Sequence, residues 1–92
     1  MQIPDTLKIG ALWYKVIQVD SSQIDVDSFH TGDCDDHTQT IRISKSISQE
    51  MKEVTLIHEI LHAIDMQLDH DLVELLSSAI YQVLKENNLL TK

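Results

Sequence analysis

Val54-Thr55-Leu56-Ile57-His58-Glu59-Ile60-Leu61-His62-Ala63-Ile64-Asp65-Met66 is the stretch that decides how this chain reads. Apolar positions 51, 54, 57, 61 and 64 recur at helical spacing. Ser48 stands where an N-cap belongs, and Glu50 in the first turn complements the helix dipole. On such a helix His58 and His62, four residues apart, lie one above the other on one face. Two imidazoles so placed can hold one Zn²⁺ ion, and Glu59 stands beside them as a base for water. The competing view is a surface helix with two solvated histidines, since five histidines in 92 residues leave room for a chance pattern. The apolar neighbours Leu56, Ile57, Ile60, Leu61, Ala63 and Ile64 weigh against it. Buried imidazole and carboxylate need partners, and a metal supplies one.

Working outward from that helix, Leu68-Asp69-His70 breaks the pattern and Asp69 or Asp71 is placed to cap a second helix. Its apolar stripe runs Leu72, Leu75, Leu76, Ala79, Ile80, Val83 and Leu84, ending near Asn87-Asn88. Upstream, Thr6–Ile9 and Leu12–Val19 read as strands joined at Gly10-Ala11, the second rich in β-branched and aromatic residues. Residues 20–29 fit a loop or a short helix. His30 to His37 reads as polar and turn-like around Gly32. Thr38–Ser44 alternates, with Ile41 and Ile43 on one face, and reads as a half-exposed strand. The expectation is a single α+β domain: a small antiparallel or mixed sheet in residues 1–47, a metal helix over 48–67 and a second helix over 70–88.

Ninety-two residues sit near the lower limit for an independently stable core, so a bound ion would add directly to folding free energy. The formal net charge of −8 argues against a nucleic-acid backbone as partner and equally fits plain solubility. Residues 1–20 lack a basic and apolar leader pattern, and no stretch approaches membrane-spanning length. The single cysteine, Cys34, forms no internal disulfide and fits a reducing cytoplasm.

Two histidines leave a tetrahedral site unfilled, and a catalytic zinc generally takes three protein ligands. An H-x-x-G-x-x-H continuation would need Gly at 65 and His at 68, where this chain has Asp65 and Leu68. Glu74 is the favoured third ligand. It lies twelve residues beyond His62, in the first turn of the second helix, beside the small Ser77 and Ser78 and near the positive end of the dipole. Asp65, Asp69, His70 and Asp71 compete. Asp69 and Asp71 are explained as caps, Asp65 has a short side chain pointing elsewhere, and His70 reaches the metal only if the loop curls inward.

The run Thr55 to Ile64 with its H-E-x-x-H, followed by Glu74 and then Ala79-Ile80-Tyr81-Gln82-Val83-Leu84, resembles the short gluzincin-type zinc metallopeptidases. Small phage and prophage proteins are of this kind, similar to the phage-repressor-cleaving and SprT-like zincins. The resemblance implies a minimal zincin-like domain, His58, His62 and Glu74 as ligands, Glu59 as general base, and a protein or peptide substrate. It also implies that the strand just before the metal helix, 38–44, borders the cleft and pairs with an extended substrate.

Peptide hydrolysis by such a set needs Glu59 to accept a proton from water and pass it to the leaving amine. Tyr81, His70 and His37 are candidates to hold a developing oxyanion, although Tyr81 reads better as a core residue and His37 and His30 as loop residues. Cys34-Asp35-Asp36-His37 invites a second-metal reading, and Cys34 could close the zinc site, but a small half-buried thiol is the simpler account. A different class also fits: a non-catalytic, zinc-stabilised acidic module, such as a phage-encoded modulator of a host protein. A Glu59 turned to solvent would favour that class.

Overall fold

In a computed structural model, which describes residues 1–24 and 31–90, the chain forms a four-stranded sheet followed by two helices, the expected α+β arrangement. Strand β1 (Thr6–Ile9) and strand β2 (Leu12–Val19) form the hairpin expected around Gly10, whose φ of +61° is the left-handed conformation that glycine adopts freely. A short 3₁₀ turn, Ser21–Gln23, follows. Residues 25–29 of the ambiguous segment, with His30, lie outside the described residues.

Two strands then form a second hairpin: β3 (Gly32–Asp35) and β4 (Thr40–Ser44). The turn between them is held by the Asp35 carboxylate, which accepts from the His37 and Thr38 N–H groups, and by Gln39 at φ 52°. The sheet order is β1-β2-β4-β3, with β2 and β4 parallel and the other pairs antiparallel. Two expectations change here. Within the segment read as turn-like around Gly32, Gly32–Asp35 is a strand, and it lies at one edge of the sheet. The alternating strand read over 38–44, expected to border the cleft, is an interior strand between β2 and β3, so its backbone is already paired on both sides.

One face of the sheet carries the core. Tyr14, Val16, Ile41 and Ile43 pack with Leu56 of helix α1 (Gln49–Ile64), and Ile60 and Ala63 join from the same helix. Ser48 caps α1 by accepting from the Met51 N–H. Five residues later the chain reverses into α2 (His70–Glu86), capped by Asp69, whose carboxylate accepts from the Leu72 N–H. Helix α2 packs chiefly on α1 rather than on the sheet, through a narrow row of Val73, Ser77 and Tyr81. Among the described residues no helix is long and apolar enough to cross a membrane.

Candidate metal centre

Helix geometry brings His58 and His62 together as expected, their ring centroids 4.8 Å apart. The turn after α1 supplies the third member. Asp65 ends the helix, its carboxylate accepting from the Gln67 N–H while the Leu68 N–H donates to its carbonyl. This curls the chain inward and sets His70, the first residue of α2, against both earlier rings at 5.1 and 5.9 Å. His58, His62 and His70 offer ligand atoms that all lie within 4.8 Å of one another, and could hold a metal ion. Nitrogen ligands about 2.0–2.1 Å from a tetrahedral zinc lie roughly 3.4 Å apart, so modest ring rotations close the set around an ion. The donor chemistry fits as well. Burial, reinforced by neighbouring His62 and opposed by Glu74, holds His58 below the ordinary histidine range, and burial followed by His70 does the same for His62. Neutral imidazoles keep the lone pair that a metal needs.

Glu74 stands in the second turn of α2, one turn further along than expected, with its side chain half exposed. Its Oε1 lies 3.1 Å from His58 Nδ1. Metal-binding histidines commonly donate their second N–H to a carboxylate, which fixes the ring and raises its basicity. That bond leaves Nε2 of His58 for the ion. The other acids settle into structural places: Asp69 caps α2, Asp65 holds the turn, and Asp71 is exposed in the first turn.

Glu59 is buried and turned towards β3. Thr55 and Glu59, one turn apart, form the ridge of α1 that lies against Gly32. A Cβ at Gly32 would come within 2.5 Å of Thr55 Cγ2 and 2.7 Å of the Arg42 carbonyl oxygen, so only glycine allows the helix this close to the edge strand. Burial, with smaller contributions from the charges of Asp33 and Glu74, pushes the Glu59 carboxyl up to about 8. Asp33 itself is buried and accepts two hydrogen bonds from the Arg42 guanidinium at 2.8 Å.

The remaining candidates lie elsewhere. The Tyr81 hydroxyl donates to buried Glu53 at 2.8 Å, so it is the core tyrosine with a satisfied hydroxyl. His37 is exposed in the β3–β4 turn. Cys34 is half buried against the core, its thiol pushed up to about 12 by burial and by the charges of Glu59 and neighbouring aspartates. Asp35 is committed to the turn, and the three histidines are the only group of three or more potential ligands among the described residues. A cavity of about 190 Å³ opens beside His58 and Glu74, lined also by Thr31, Met51, Val54, Thr55 and Ser78. Comparisons with protein-family models, curated proteins and solved structures find no match to this chain.

Proposed function

We propose that the chain is a zinc-dependent metallopeptidase in which His58, His62 and His70 hold the ion, Glu74 orients His58, and Glu59 is the general base. The observation that carries this is the cluster of three imidazoles, with a buried carboxyl at the residue after His58 on the same helix. When bound, zinc would lower the pKa of water and polarise a substrate carbonyl. Its positive charge beside Glu59 would favour the carboxylate form, which can accept a proton from water and return it to the leaving amine. The edge strand β3 runs beside Glu59 and is the strand suited to pair with an extended peptide, in place of the interior β4. A base facing solvent would have favoured a non-catalytic zinc-stabilised module, and Glu59 is buried.

The test offers zinc-loaded wild type and Glu59→Gln a mixture of cytoplasmic proteins and looks for discrete products. Cleavage by wild type, falling at least about 10²–10⁴-fold in the variant while zinc is retained, is the expected result. Equal cleavage by both would trace to a contaminant. No cleavage by either, with zinc bound, would favour the module.

A further inference from the structure

The space between α1 and α2 is not filled along its whole length. Buried Ser77 lets the two helices approach, and Ser78 beside it is too short to reach across. What remains is the cavity of about 190 Å³ that shares His58 and Glu74 with the metal centre. Its α1 wall is built from Met51, Val54 and His58, which recur at helical spacing, and its α2 wall from Glu74 and Ser78, one turn apart. Thr31, the residue before the edge strand β3, closes the side towards the sheet. Val54 is half buried and His58 buried, whereas Met51, Glu74 and Ser78 are exposed and form the mouth.

We propose that this cavity receives one uncharged, apolar side chain of the substrate, of leucine to phenylalanine size, next to the bond that is cut. The proposal rests on the metallopeptidase reading above and adds the side-chain selectivity, which Met51, Val54 and Ser78 set. Size comes first: an apolar cavity of about 150 Å³ holds a benzene ring, so this one accepts a branched aliphatic or single-ring group. Lining chemistry comes second. Val54 and Met51 offer apolar surface, and the unbranched methionine at the mouth adapts to the shape of what enters. Charge comes third. The Glu74 carboxylate in the wall and a chain of net charge −8 disfavour an acidic side chain. Position comes last. A peptide paired with β3 points alternate side chains to opposite faces, and those turned towards the helices fall on the side that Thr31 and His58 enclose.

Hydroxamates, which bind an open zinc position without being cleaved, test this by calorimetry on the intact zinc-loaded protein. Acetohydroxamate carries no side chain, 4-methylpentanohydroxamate carries a branched aliphatic one, and the monohydroxamate of succinic acid carries a carboxylate. Wild type should bind the branched probe at least about tenfold more tightly than acetohydroxamate, and the acidic probe no more tightly. Ser78→Leu fills the cavity and should cut the tenfold gain to about twofold or less, and Met51→Ala should cut it at least about threefold. Each variant is read as the ratio of its two affinities, so a change at the metal centre itself cancels. Both positions are exposed, and helical circular dichroism with zinc content checks each fold. Acetohydroxamate binding without a gain from the branched group, or a gain that survives both variants, overturns the cavity proposal and leaves the metallopeptidase reading standing. Failure of every hydroxamate to bind the zinc-loaded wild type overturns both.

Discussion

In the metal-free protein, Glu59→Gln raises stability by an amount that depends on pH. The folded carboxyl titrates at about 8 against 4.5 for an ordinary glutamate, because burial disfavours its charge. A group whose folded pKa is raised contributes stability below its unfolded pKa and loses it as pH rises towards the folded value. Between those limits the folded state keeps a proton that the unfolded chain has released, at about 1.36 kcal/mol per pH unit. Wild type therefore loses roughly 3 kcal/mol from this residue between pH 4.5 and 7, and roughly 4 kcal/mol by pH 9, as order-of-magnitude figures. Glutamine has the same shape and no titration. Cys34, whose thiol the Glu59 charge helps to push up, also titrates differently in the two proteins at alkaline pH, so the difference between their stabilities isolates Glu59 between pH 4.5 and 7. Urea denaturation of chelator-treated protein at pH 4.5, 7 and 9 reads it directly. The gap should open with pH and then close when zinc is restored, because the cation offsets the cost of the buried carboxylate. A gap that stays constant across the pH range would refute the account of Glu59 as a buried, neutral acid.

Two further outcomes follow from the same geometry. Gly32→Ala should destabilise the fold by about 1–3 kcal/mol, because the added methyl meets Thr55 and the Arg42 carbonyl, and thermal melting measures it. An unchanged melting temperature would mean that α1 and β3 are further apart than described. Cys34 should alkylate roughly a thousandfold more slowly in the native protein than in urea at pH 8, since a thiol at about 12 holds so little thiolate. Rapid native alkylation would instead favour Cys34 as a reactive thiol near the site.

Much of the fold is legible in local pattern. The β1–β2 hairpin, the Ser48 cap and the extents of both helices follow from strand-forming residues, capping chemistry and helical period. Strand β3 is not legible, because Gly32-Asp33-Cys34-Asp35 contains no strong strand former. It is extended through pairing with β4 and through the need for a residue without a side chain under Thr55. Periodicity also marks α2 as amphipathic without saying which face meets α1, and the face that does carries Ser77 rather than the leucines. At the site, the four-residue spacing of His58 and His62 was sufficient. His70 depends on the turn at Asp65–Leu68, a tertiary feature whose only sequence signal is an aspartate at a helix end followed by a polar break.

The central claim is the three-histidine metal centre, and zinc titration by calorimetry measures it most directly. Wild type should take up one zinc per chain, His62→Ala and His70→Ala should each lose at least about 10²-fold in affinity, and Glu74→Gln should lose only about 10–100-fold because it acts through His58. No zinc uptake by wild type, or undiminished affinity in His70→Ala with severe loss in Glu74→Gln, would contradict it.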